Sequence, residues 1–199
     1  TGKNTIWLED ESRTIGAKII PEGIWNQMRE APHYFLDSSF EERLDQIMVD
    51  YGDFSIDELK KIATFSWDQN VQLCVHAIGD RANRELVDIY SQQIIQHKSK
   101  DHRWRIEHAQ HVNPTEIPRF KEWSIIASMQ GIHCTSDAPY VIKRLGEERA
   151  RTGAYMWRSF MDAGVLVNNG TDVPVEDIDP FANFYASVTR KTKDGNAFY

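Results

Sequence analysis

Five short apolar runs punctuate this chain: "TIGAKII" (14–20), "VQLCVH" (71–76), "RWRIEH" (103–108), "SIIASMQ" (124–130) and "GVLVNNG" (164–170). Their spacing restricts the fold more than any other feature of the sequence. Runs of this length suit strands buried on both faces. The segments between them read as helices. Asp80 stands as an N-cap ahead of "RANRELVDIYSQQIIQ", in which Leu86, Ile89, Tyr90 and Ile94 fall at helical spacing. Asn113 followed by Pro114, and Asp179 followed by Pro180, place a cap before a first-turn proline, and Ser55 with Glu58 forms a capping box. Strands alternating with helices require crossover connections, and hence a parallel sheet.

Two of the runs end on a histidine. His76 and His108 are 32 residues apart, about the roughly 30 residues of one strand-helix-strand unit, and His108 and Asp172 are 64 apart, about two such units. One polar group therefore closes each of three strands at the same height, on the carboxyl face where barrel enzymes assemble their sites. Two neutral imidazoles and a carboxylate are a ligand set that Zn²⁺ accepts in a catalytic site with one position left for water. Such a cation lowers the pKa of water toward about 7, and the carboxylate then serves as general base. Structural or loop histidines are the competing reading of the same spacing.

Composition removes other classes. Of 199 residues, 41% are hydrophobic and 27% charged, enough to build a core, with no low-complexity tract. A net charge of −7 without any Lys/Arg cluster argues against a binder of the phosphate backbone, so no nucleic acid partner is expected. No apolar stretch approaches a membrane span, and residues 1–20 lack a basic-then-apolar signal pattern. Cys74 and Cys134 read as buried or loop thiols in a reducing compartment, which predicts a cytoplasmic protein.

Five ordered segments carry a resemblance: "CVHAIGDRA", "RWRIEHAQHVNPTEIPRF", "IIASMQGIHCTSDAPY", "RLGEERARTGAYMWRSFMDAGV" and "NNGTDVPVEDIDPFANFYASVTRK". Over about residues 53 to 194 the chain resembles the second half of amidohydrolase family 3, which includes N-substituted formamide deformylases. The resemblance implies an α/β fold, a metal-dependent (β/α)8 TIM-type barrel of which residues 1–199 hold strands 4 to 8 with their helices. The first barrel strands and the family's β-sandwich are absent. It further implies that His76 and His108 are the metal ligands closing the fifth and sixth strands. Asp172 is the eighth-strand aspartate, which binds metal and shuttles the proton between the hydrolytic water and the leaving group. Lys18, in "AKIIPEG", is the counterpart of the fourth strand's carboxylated lysine, with Glu22 in place of the usual Asp and Gly23 retained; the usual Ser/Arg/Thr-rich continuation is replaced by "IWNQMREAPHYF". One or two divalent ions, Zn in the first place, and a small-molecule amide, formamide or cyclic amide cleaved at its C–N bond complete what the resemblance implies. The family's first-strand His-x-His pair does not occur in the 199 residues. The opening "TGKNT" and closing "DGNAFY" fit the second half of a longer enzyme better than a short relative that has lost half its site.

Two other functions compete. A non-catalytic half-barrel could pair through exposed sheet edges with another chain or a second copy, a homo-oligomer. A glycosidase using Glu107 and Asp172 leaves both strand-end histidines unexplained. Among the remaining polar residues, His111 and His133 lie near the same strand ends, as partners that support a metal ligand, as substrate contacts or as solvated loop histidines, and His102 is expected at the surface. Cys134 is separated from a pairing with His133 because neighbours in an extended segment face opposite ways. Asp80 either caps its helix or orients His76. Glu107 should point away from His108, toward the helix layer or a polar neighbour. Gln130 and Asp137 are candidate substrate contacts, and Trp67, Trp104, Trp123 and Trp157 fit core or pocket wall.

Overall fold

A computed structural model describes residues 14–15, 18–31, 39, 41–42, 45–46, 55–96, 101–192 and 195. The chain falls into two compact units, residues 1–53 with 172–178, and residues 54–171 with 179–199.

In the smaller unit, β1 (Thr14–Ile15) and β2 (Lys18–Ile19) pair antiparallel, Thr14 opposite Ile19 and Ile15 opposite Lys18, and α1 (Glu22–Glu30) follows. The single strand expected over 14–20 is thus two short arms. Among the described residues Lys18 lies on β2, which pairs antiparallel with β1. Its side chain, the part that would carry the ligand, lies outside the described residues.

The larger unit holds the parallel sheet: β3 (Cys74–Ala77), β4 (Arg105–His108), β5 (Ile126–Met129) and β6 (Val167–Asn169), adjacent in chain order. Each crossover is helical. α2 (Ile56–Asp68) precedes the sheet and starts on the expected capping box, in which Ser55 Oγ accepts from Glu58 N at 3.2 Å and Glu58 Oε2 accepts from Ser55 N at 2.8 Å. α3 (Asp80–Gln96) joins β3 to β4 and presses Leu86, Val87, Ile89 and Tyr90 onto the sheet. A 3₁₀ turn (Pro114–Glu116) capped by Asn113 leads into α4 (Ile117–Glu122) between β4 and β5. Four short helices join β5 to β6: α5 (His133–Ser136), α6 (Ala138–Leu145), α7 (Glu147–Gly153) and α8 (Trp157–Asp162). α9 (Pro180–Thr189) starts where Asp179 Oδ1 accepts from the amides of Phe181 and Ala182, both at 3.0 Å.

The core lies between the sheet and its helices. Ile106, Ala127, Tyr90, Trp104, Phe120 and Phe160 are fully buried there, and the Phe120–Phe160 and Tyr90–Trp104 rings meet edge to face at 5.0 and 4.9 Å. Register assigns the sheet faces. Val75, Ile106 and Ala127 are in line and face the helices, while His76, Glu107 and Ser128 are in line on the other face. Cys74 and His76 are exposed on that second face, so the expectation of strands buried on both faces fails for β3, and Cys74 is an exposed strand thiol. Among the described residues no helix is long and apolar enough to cross a membrane.

Candidate metal centre

β3 and β4 end side by side, with Ala77 opposite His108 and His76 opposite Glu107. Strict alternation would send the His76 and His108 side chains to opposite faces of the sheet. The backbone breaks that alternation: His108 has φ 73° and Ala109 φ 43°, two consecutive non-glycine residues in the left-handed region. Such a conformation costs about 1–3 kcal/mol per residue and persists where surrounding contacts enforce it. Its consequence is that the His76 and His108 rings meet edge to face, their centroids 4.4 Å apart. His76 is exposed, and His108 is buried.

A third imidazole stands beside them. His133 opens α5, is buried, and places its ring 5.9 Å from that of His108, with one ring nitrogen of each within 4.8 Å of the other. The turn that delivers it is held by β6 and α9. Gly131 N donates to Asn169 Oδ1 at 3.0 Å, and Ile132 N donates to the buried Asn183 Oδ1 at 2.8 Å. Gln130, the residue after β5, sits against His108, with its Oε1 2.8 Å from Nδ1. A cluster of imidazoles at the carboxyl ends of parallel strands is a donor set suited to a borderline divalent cation such as Zn²⁺.

The other residues singled out in the sequence divide. Asp172 begins the 172–178 segment of the smaller unit with a left-handed φ of 57°, and its carbonyl accepts from Val175 N at 2.8 Å. Asp80 Oδ1 accepts from Arg81 N at 2.9 Å and its Oδ2 pairs with Arg149 at 2.8 Å, so its carboxylate serves the helix start and α7. Glu107 shares the face of His76 and is ion-paired to Arg105, two residues back on the same strand; it does not face the helix layer. Asp137 accepts from Tyr155 Oη and from Gln110 Nε2, the latter at 2.8 Å. Burial, reinforced by Asp137, holds the Tyr155 phenol far above its ordinary range. His111 lies edge-on to Tyr155 at 5.4 Å; burial pulls its pKa down, and its Nδ1 has no hydrogen-bond partner among the described residues.

Two expectations are corrected. His102 is half-buried, with Nδ1 accepting from Trp104 N and Nε2 donating to Trp123 O, both at 2.9 Å. Its ring contacts Trp67 and Trp104, a structural use that the flanking Asp101 and Arg103 concealed. Cys134 sits in a helical turn, not an extended segment, and packs with Val141, Ala150, Ala154 and Tyr155; burial pushes its thiol up to about 12. In the sequence, His133 is not set apart from His111. The signal that could have raised it is the Gly131 two residues earlier, where Ser187 approaches so closely that a Cβ would fall 1.9 Å from its Oγ.

A sequence model of the amidohydrolase family matches residues 4–199. The chain is 40% identical over 120 residues to Protein LONG AFTER FAR-RED 3 of Arabidopsis thaliana, an alignment taking in 60% of this chain and 21% of that protein. It is 33% identical over 126 residues to the putative amidohydrolase YtcJ of Bacillus subtilis (strain 168), covering 63% of this chain and 23% of that one. An uncharacterized metal-dependent hydrolase from Pyrococcus horikoshii OT3 superposes with a TM-score of 0.64 at 27% identity, over 74% of this chain and 28% of that chain. The chain thus spans about a quarter of the length of these proteins.

Proposed function

The chain belongs to the amidohydrolase family, and from that premise we propose that it is the part of a metal-dependent hydrolase that carries His76, His108 and Asp172, cleaving the C–N bond of a small amide, formamide or cyclic amide. The observation that carries this reading is the 4.4 Å approach of the His76 and His108 rings at the carboxyl ends of adjacent parallel strands. When bound there, a divalent cation, Zn²⁺ in the first place, would polarise the substrate carbonyl and acidify water. His76 and His108 hold the cation, and His133 flanks them. Asp172 takes the proton of the attacking water on a carboxylate oxygen and delivers it to the departing nitrogen as the C–N bond breaks. Lys18 stays in the proposed ligand set on its sequence context alone. The unpaired thiols Cys74 and Cys134 suit the cytoplasm.

Metal analysis of the purified chain tests the reading. We expect zinc at about one equivalent or more, lost in the His76→Ala/His108→Ala double variant while the fold persists. A metal-free chain after zinc reconstitution, or unchanged zinc in the double variant, removes it.

A further inference from the structure

Gln130 is absent from the ligand set above, yet its hydrogen bonds decide how His108 is presented. The amide nitrogen of Gln130 donates to the Ser128 carbonyl at 3.3 Å, an atom that can only accept. The amide oxygen is therefore the atom turned toward His108, 2.8 Å from Nδ1. That oxygen also only accepts, so Nδ1 carries the ring proton and the lone pair lies on Nε2. We propose that Gln130 is a positioning residue that fixes the Nδ1–H tautomer and the ring orientation of His108, so that Nε2 is the atom presented to a divalent cation. This role rests on the metal-centre reading only for its last step.

The backbone beneath Gln130 is built to hold such a setting. Gly131 and Ile132 donate to Asn169 Oδ1 and Asn183 Oδ1, and Asn169 Nδ2 donates in turn to Ser187 Oγ at 2.8 Å. α9 lies so close over this turn that a Cβ on Gly131 would fall 1.9 Å from Ser187 Oγ and 3.1 Å from Ser187 Cα. Strand β6 and helix α9 thus fix the turn, the turn fixes Gln130, and Gln130 fixes His108. The left-handed backbone at His108 and Ala109 frees the ring from ordinary strand alternation, and an anchor at Nδ1 supplies the orientation that the strand no longer dictates. Partners of this kind on ligating imidazoles typically change metal affinity about 10–100-fold.

The test uses ¹⁵N NMR of the metal-free 199-residue chain, above the pH range in which imidazoles titrate, together with zinc affinity by chelator competition. In the unmodified chain His108 should show a protonated-type Nδ1 and a bare-type Nε2. Gln130→Met, matched in size but lacking the acceptor, should give a mixture of tautomers and zinc binding weaker by about 10–100-fold. Gln130→Glu, which keeps an acceptor, should retain the Nδ1–H tautomer. A His108 that keeps the Nδ1–H tautomer in Gln130→Met overturns the proposal. Loss of that tautomer in Gln130→Glu overturns it equally, and decides the matter if Gln130→Met does not fold. A chain that binds no zinc yet shows the Gln130-dependent tautomer retains the positioning role and loses the metal centre. The two readings therefore fail separately.

Discussion

A histidine stands near each end of β4, and the two are used differently. At the entry, His102 has both ring nitrogens bonded to backbone, Nδ1 to Trp104 N and Nε2 to Trp123 O, and its ring contacts Trp67 and Trp104. At the exit, His108 is fastened at Nδ1 by a side chain, Gln130, and its ring meets His76 and His133. A ring tied at both nitrogens to fixed peptide groups is part of the scaffold and has no lone pair to offer. A ring held at Nδ1 by a side chain, beside two other imidazoles, has the arrangement of an outer partner and a ligand. In parallel barrels generally, the amino ends of the strands serve stability and the carboxyl ends carry the active site.

That division can be broken or sharpened in three ways. The largest effect is expected at the entry side: Trp104→Ala empties a fully buried site between Tyr90 and Trp67 and should lower stability by about 3–5 kcal/mol in urea unfolding. Zinc content per folded molecule should not change; if it falls in step with stability, the two ends are not separable. Gly131→Ala comes next, on the exit side. The added Cβ meets Ser187 at 1.9 Å from Oγ, so overpacking of about 1–3 kcal/mol is expected, accompanied by weaker zinc binding because the turn carries both Gln130 and His133. A variant that loses stability yet binds zinc normally would show that the turn does not set the site.

The smallest effect concerns pH. Burial holds the His102 pKa below its ordinary value, and a protonated Nδ1 cannot accept from Trp104 N. The unfolded chain therefore binds the proton more readily. The His102 contribution is fully present above the unfolded value of about 6.5 and is lost as the pH falls below it toward the lower folded value. His111 shifts in the same direction, again first through burial, so the contribution of His102 must be read as a difference. The gap in urea midpoint between about pH 7.5 and about pH 5.5 should shrink in His102→Gln. An unchanged gap would mean that the bonds to Trp104 and Trp123 do not depend on a neutral ring.

What the sequence disclosed follows from how local each signal is. The caps at Ser55, Asn113 and Asp179 depend on residues within one helical turn, and all three form as read. The parallel sheet was legible from the recurrence of strand-length runs. His76 and His108 were legible as a pair because one crossover unit separates them. Their meeting was not, since it requires the left-handed backbone at His108 and Ala109, which no non-glycine residue announces. The place of His133 depends on bonds from its turn to Asn169 and Asn183, 38 and 51 residues from their partners, and long-range side-chain clamps leave no periodic trace. Of the two directions open to Glu107, the helix layer or a polar neighbour, the structure takes the second: it pairs with Arg105 on the face it shares with His76.

The central claim is that His76 and His108 share one cation at the carboxyl end of the sheet, and zinc K-edge X-ray absorption of the zinc-loaded chain tests it most directly. The result expected is at least two imidazole nitrogens at about 2.0–2.1 Å, with one lost in His76→Ala, one lost in His108→Ala, and none lost in His102→Gln. A zinc shell without imidazole, or one unchanged by both alanine substitutions, would contradict it.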